Sequence, residues 1–119
     1  MDQKMEFDHV GLVTDQKKSG EDFVEATRVW VTDPKEHPYN VEWLRFEDDS
    51  PVTGPVRECA HVAYRVKNLE QASKNLKVLL EPFEVGDFVK VGFFQSADGA
   101  VIELMEYKGS SDQWFSKKH

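Results

Sequence analysis

The sequence predicts an α+β fold made of two related halves, and three observations support this prediction. Segments rich in β-branched and aromatic residues recur along the chain, whereas only one segment has apolar residues at helical spacing. After residue 59 the predicted elements follow the order β-α-β-β-β. Both halves open on a related pattern, Asp-His-Val-Gly at residues 8–11 and Ala-His-Val-Ala at residues 60–63. An internal repeat of this kind indicates that the two halves share one architecture.

The first half is predicted to contain three strands, at Phe7–Val13, Phe23–Thr32 and Val41–Glu47. Each is rich in β-forming residues, and Asp-Pro and His-Pro pairs mark a turn between the second and the third. Residues 14–22 are polar and have no helical stripe, so we expect a loop where the second half has its helix.

The second half follows a loop at residues 48–58, which is rich in Asp, Pro and Gly and separates the two halves. It begins with a predicted strand at residues 59–66. Asn68 is the expected N-cap of a helix that runs to about residues 75–77, because Gln71 lies three positions on, as in a capping box.

Three further strands are predicted after this helix. The first is a short strand at residues 78–83 that ends near Pro82, and the others lie at residues 88–95 and 100–107. The Asp-Gly pair at residues 98–99 is a strong hairpin signal between the last two strands.

The whole chain is expected to be a single domain, because 119 residues are enough for one core. Its predicted parts are the halves at about residues 5–47 and 59–107 and a C-terminal tail at residues 108–119. The tail is polar apart from Trp114 and Phe115, and it is expected to fray unless these two side chains dock on the body.

The composition excludes several classes of protein. The chain has 15 Lys and Arg against 22 Asp and Glu, a net charge of −7, which is a poor match to nucleic acid or to an anionic membrane surface. The single cysteine, Cys59, excludes an intrachain disulfide and is expected to be a buried, unreactive thiol. The N-terminal residues carry charges of both signs and do not predict a signal peptide, so the expected location is the cytoplasm.

Four polar residues in predicted strands form the candidate functional site: His9, Glu42, His61 and Glu103. Each half has a histidine in its first strand and a glutamate in its last. Pairing the halves by pseudo-symmetry would bring two imidazoles and two carboxylates to one centre. Such donors suit a divalent Zn, Ni, Co, Fe or Mn ion. An octahedral ion would keep two positions open for a substrate with neighbouring oxygens, which the metal would polarise as a Lewis acid.

The chain resembles the vicinal oxygen chelate superfamily, which includes glyoxalases, bleomycin-resistance proteins and extradiol dioxygenases. The resemblance is carried by residues 7–13, 41–51, 61–72 and 98–106, above all by His-Val-Ala-x-x-Val-x-Asn-Leu-Glu-x-Ala and Asp-Gly-x-x-Ile-Glu-Leu-x-Glu. It implies two βαβββ modules whose sheets curl into an open half-barrel, with a metal in the cup held by the four residues named above. It also implies that Glu103 doubles as a catalytic base.

The first half departs from the superfamily pattern. His9 and Glu42 are 33 positions apart, whereas His61 and Glu103 are 42 apart. The first module is therefore expected to lack most of its helix and part of a strand. One side of the sheet would then be less covered, which favours a homodimer.

Residues that line the cup are predicted from strand alternation. The candidates are Leu44, Phe46, Phe93 and Met105. Whether Phe93 or Phe94 faces the cup depends on the strand register, because a shift of one residue reverses every side chain.

Three other polar residues have weaker claims to a role in the site. His37 could be an alternative ligand or part of a lid, although its loop favours a solvated side chain. Arg45 and Arg65 could hold an anionic substrate, although both are expected at surface positions of strands.

Three functions are compatible with this sequence. The leading hypothesis is a metal-dependent lyase, isomerase or epimerase of the glyoxalase-like type, acting on a small vicinally oxygenated substrate. The alternative is a non-catalytic protein of the resistance type that binds a small molecule in the same cup without metal. A dimer with an unused cup is the third. An extradiol dioxygenase is disfavoured because those relatives are longer and use two histidines and one carboxylate.

Overall fold

The computed structural model describes residues 4–115, which form one eight-stranded sheet with few short helices. The strands are β1 Glu6–Val13, β2 Asp22–Val24, β3 Val29–Val31, β4 Val41–Phe46, β5 His61–Arg65, β6 Lys77–Val85, β7 Val89–Gln95 and β8 Val101–Tyr107. The helices are α1 Pro55–Glu58 and α2 Leu69–Ala72, and a single 3₁₀ turn lies at Pro34–Glu36.

The order of the strands in the sheet is symmetric about its centre. It reads β2-β3-β4-β1-β5-β8-β7-β6, so that β1 and β5 meet in the middle as an antiparallel pair. On either side a parallel pair follows, β1 with β4 and β5 with β8. The sheet curls into an open half-barrel, and the predicted α+β fold of two related modules is confirmed.

The first half keeps four strands but has no α-helix between β1 and β2, and its β2 and β3 have only three residues each, whereas their counterparts β6 and β7 have nine and seven. The prediction of one strand at Phe23–Thr32 was wrong, because this segment forms the hairpin of β2 and β3. Residues 25–28 make the turn, in which the Arg28 amide donates to the Glu25 carbonyl and Arg28 has a φ of 50°. The turn was not predicted, because β-forming residues follow it directly in the sequence.

The second half differs from the prediction in the lengths of two elements. The helix ends at Ala72, and a turn leads from there into β6. Strand β6 begins earlier and ends later than expected, and Pro82 lies inside it. The proline is tolerated because β6 is an edge strand whose pairing with β7 shifts register between Leu80 and Phe83.

Two apolar clusters pack on opposite faces of the sheet. One lies inside the cup and includes Leu44, Phe93 and Met105. The other lies under α2, where Leu69 packs against Phe94 and neighbouring residues of the second half. In the first half, residues 14–21 contain no helix that could cover the matching face.

The C-terminal segment docks on the body as far as the structure describes it. Trp114 is buried, and its Nε1 donates to Asp22 Oδ2 at 2.7 Å. The expectation of a buried Cys59 was wrong: the thiol is exposed, because Cys59 ends the surface turn of α1. Within residues 4–115, no helix is both long and apolar enough to cross a membrane.

Candidate metal centre

His9, Glu42, His61 and Glu103 come together at the centre of the cup, and we call them the His/Glu cluster. Each offers one ligand atom, and these atoms all lie within 4.8 Å of one another. All four side chains are buried. They belong to one chain, so a complete cluster needs no second copy.

The cluster sits on the four central strands because of the symmetric pairing. β1 and β5 carry the histidines, while β4 and β8, their parallel neighbours, carry the glutamates. Alternation along each strand aims these side chains into the cup. The predicted face shared by Glu42 and Leu44 is seen in β4, where buried and half-buried residues alternate.

Distances within the cluster place ring nitrogens against carboxylate oxygens. His9 Nε2 is 3.2 Å from Glu42 Oε1 and 3.3 Å from Glu103 Oε1. His61 Nε2 is 3.1 Å from Glu103 Oε1 and 4.0 Å from Glu42 Oε1. Both histidines therefore direct the same ring nitrogen to the two carboxylates.

Asp8 holds the other side of the His9 ring. Its Oδ2 is 2.6 Å from His9 Nδ1, and its Oδ1 accepts from Arg65 Nη1 at 2.9 Å. Burial alone would raise the pKa of Asp8, but its hydrogen bonds with His9 and Arg65 and the charges of His9 and Lys35 outweigh burial and lower the pKa. Asp8 is thus an ionised acceptor that keeps the Nδ1 proton on His9.

Gly11 makes room for the His61 ring. The two residues are opposite each other in the β1–β5 pair. A Cβ at position 11 would lie 2.0 Å from His61 Cε1 and 2.4 Å from His61 Nε2. The ring therefore rests directly on the Gly11 backbone, and only glycine permits this placement.

The pKa directions show that the cluster stabilises positive charge. Burial opposes the charged form of His9, but the charge of Glu42 and the contacts with Asp8 and Glu103 hold its pKa well above 6.5. Burial likewise raises the pKa of Glu103, but its hydrogen bond with His61 and the nearby charge of His9 outweigh burial and lower the pKa to about 2. A cation at this point of the cup is electrostatically favoured.

These donors fit a divalent metal ion. His9 Nε2 is buried and makes no hydrogen bond of acceptable geometry, although two carboxylate oxygens lie close to it. A divalent ion at the centre of the cluster could take the place of the proton on this nitrogen and bind its lone pair. Two neutral imidazoles and two carboxylates are a donor set that Zn, Ni, Co, Fe and Mn accept.

A largely apolar cavity of about 50 Å³ adjoins the His/Glu cluster, and Glu42 and Glu103 form part of its wall. All four predicted cup residues line it, together with aromatic residues of the C-terminal segment: Leu44, Phe46, Phe93, Met105, Trp114 and Phe115. The register left open by the sequence is settled in favour of Phe93, which meets the His61 ring edge-on at 5.1 Å. A cavity of this size holds a few water molecules.

The remaining sequence candidates lie elsewhere. Arg45 forms a bidentate pair with Glu21, at 2.7 and 2.9 Å, and does not line the cavity. Arg65 pairs with Asp8 behind the cluster. His37 accepts a hydrogen bond from the Tyr39 amide and is not part of the cluster.

Sequence reasoning missed the roles of Asp8 and Gly11. Asp8 precedes a histidine in a strand, so simple alternation places the two side chains on opposite faces. The role of Gly11 could have been predicted, because glycine inside a strand often marks a close approach of another group.

Neither a family model nor a curated protein matches the sequence.

Proposed function

We propose that this protein is a metal-dependent enzyme of the glyoxalase-like type, a lyase, isomerase or epimerase for a small substrate with neighbouring oxygens. The observation that carries the proposal is the convergence of four buried ligand atoms, among them His9 Nε2, which is buried without a hydrogen bond beside the two carboxylates. The symmetric half-barrel and the sequence resemblance to the vicinal oxygen chelate superfamily support it.

The ion would be held by one residue from each of the four central strands. His9 and His61 supply nitrogens through Nε2, and Glu42 and Glu103 supply oxygens. When bound, the ion would supply Lewis-acid polarisation of substrate oxygens and would stabilise an enediolate-type anion. The largely apolar wall of the cavity would lower the local dielectric constant and so strengthen these electrostatic interactions.

Glu103 is the residue proposed to move the proton. It lies between both histidines, and Phe93 is its direct partner across the β7–β8 pair. Its carboxylate also forms part of the cavity wall, where a substrate carbon would approach. As a base it would take a proton next to a carbonyl and return it to a neighbouring atom.

The test is elemental analysis of untagged protein purified without chelators, alongside His61→Ala and Glu103→Ala. We expect close to one divalent metal per chain in the parent and much less in both variants. Screening of 2-oxoaldehyde adducts, acyl thioesters and diols for turnover would follow. A parent that neither contains metal nor takes up Zn, Ni, Mn or Fe(II) would contradict the proposal.

The apolar cavity favours a second candidate, a non-catalytic protein that binds a small hydrophobic molecule. Aromatic side chains from both the sheet and the C-terminal segment surround the space. On this alternative the parent would bind an apolar fluorescent probe with equal affinity in the presence of EDTA or of Zn(II). Metal-dependent binding of an oxygen-chelating ligand would favour the enzyme.

A further inference from the structure

Asp8 is a buried carboxylate that touches the His/Glu cluster without belonging to it. Its Oδ2 is 2.6 Å from His9 Nδ1, on the side of the ring opposite to the cluster. We propose that Asp8 is a positioning residue, which orients the His9 ring and keeps Nε2 directed at Glu42 and Glu103. The part of this inference that concerns metal affinity rests on the proposed function.

A bulge in β1 creates the contact. Along the β1–β5 pair, Phe7 is opposite Tyr64 and His9 is opposite Ala63, so Asp8 is the additional residue. In a regular strand neighbouring side chains point to opposite faces, but a bulge can aim two of them to the same side. Asp8 and His9 are accordingly both buried.

Asp8 is itself held from several directions. Arg65 Nη1 donates to its Oδ1 at 2.9 Å, and the Tyr107 hydroxyl donates to the same oxygen at 3.3 Å. Asn40 Nδ2 donates to the Asp8 carbonyl at 3.0 Å. A carboxylate fixed in this way leaves the His9 ring few orientations, and such outer partners fix the tautomer of histidine ligands.

The second half has no equivalent of this contact. The residue before His61 is Ala60, and His61 Nδ1 is buried without a hydrogen-bond partner among the described residues. The two histidines of the pseudo-symmetric cluster are therefore unequal. His9 has a carboxylate partner on its Nδ1 side, whereas His61 contacts Glu103 through Nε2 at 3.1 Å and otherwise packs on Gly11 and Phe93.

The experiment compares the parent with Asp8→Asn and with Glu6→Gln. Asn is nearly the same size as Asp but removes the charge that keeps the proton on Nδ1. Glu6 is the matched control, because it lies in the same strand and contacts Arg65 at 3.7 Å but does not touch His9. Zn(II) affinity is measured on each folded protein by competition with a chromophoric chelator.

We expect Asp8→Asn to weaken Zn(II) binding about 10–100-fold, the range for loss of a ligand's outer partner. Glu6→Gln should change it less than about threefold, because its ion pair is exposed. A purely structural role would lower stability and leave the affinity of the folded protein unchanged. Parent-like affinity in Asp8→Asn overturns the proposal.

A second measurement needs neither metal nor a folded variant. In the metal-free parent, the His9 Nδ1 proton should give a downfield NMR signal that exchanges slowly with water. Absence of this signal overturns the proposal. If the parent binds no Zn(II) at all, the proposed function fails, and this ring proton alone decides whether Asp8 orients His9.

Discussion

Gly11→Ala is the smallest change that should dismantle the His/Glu cluster. The added Cβ would lie 2.0 Å from His61 Cε1 and 2.6 Å from His61 Nδ1, whereas carbon atoms pack at roughly 3.5–4.0 Å. The ring must therefore retreat by about 1.5 Å or more. Metal–ligand distances tolerate only about 0.2 Å, so His61 would no longer reach the ion. We expect Zn(II) affinity to fall by more than about 100-fold, beyond the usual loss of an outer partner.

The effect of Gly11→Ala on the free energy of unfolding can separate the clash with the His61 ring from other consequences of the substitution. Forcing a methyl group into a packed site costs about 1–3 kcal/mol. Once His61→Ala removes the ring, the same glycine is an ordinary strand residue whose φ an alanine can adopt. Gly11→Ala should then stabilise by about 0.4–1 kcal/mol, because it restricts the unfolded chain. The two changes should therefore be coupled by about 1.5–4 kcal/mol.

The assay is urea unfolding of the parent, both single variants and the double variant, all with EDTA present. The double-mutant cycle gives the coupling energy between positions 11 and 61 directly. An equal cost of Gly11→Ala with and without the His61 ring would refute the reasoning. So would parent-like Zn(II) affinity in the Gly11→Ala variant.

Three further predictions follow from the site and the cavity. Glu42→Gln and Glu103→Gln should each weaken Zn(II) binding in a competition titration, while the exposed Glu84→Gln should not; equal affinities in all three would argue against the cluster as a metal site. In metal-free protein, the raised pKa of His9 stabilises the fold below pH 6.5, and this contribution is lost as the pH rises through the folded-state pKa. The free energy of unfolding should therefore fall between pH 6 and pH 9 by more in the parent than in His9→Gln, and identical slopes in urea titrations would contradict this. Trp114→Ala should lower the free energy of unfolding by about 3–5 kcal/mol, as expected for a buried tryptophan, and Trp114→Phe by much less; a loss below about 1 kcal/mol would mean that the C-terminal segment contributes little.

Much of the fold could be predicted because its signals are local. β-forming segments, the Asn68 cap and the Asp-Gly hairpin each identified an element from a few neighbouring residues. The missing first helix was also visible, since residues 14–22 have no apolar stripe. The hairpin of β2 and β3 was missed, because its turn lacks the glycine or proline that usually marks one.

The members of the His/Glu cluster were identified by repetition. His9 and His61 open the two halves, and Glu42 and Glu103 lie in their last strands, so the internal repeat implied that they converge. The structure brings their ligand atoms within 4.8 Å of one another. The repeat did not indicate the role of Asp8, because the equivalent residue of the second half is Ala60 and the contact of Asp8 with His9 depends on the bulge in β1.

The sequence by itself determined the residue types, their order along the chain and the periodicity that aims them. The tertiary structure alone decided which side chains share a face where the periodicity breaks, as at the β1 bulge that turns Asp8 toward His9. It also decided that Phe93 faces the cavity and that the His61 ring rests on Gly11. The physical reason is that register and bulges arise from pairing between strands distant in sequence, whereas alternation is a property of each strand alone.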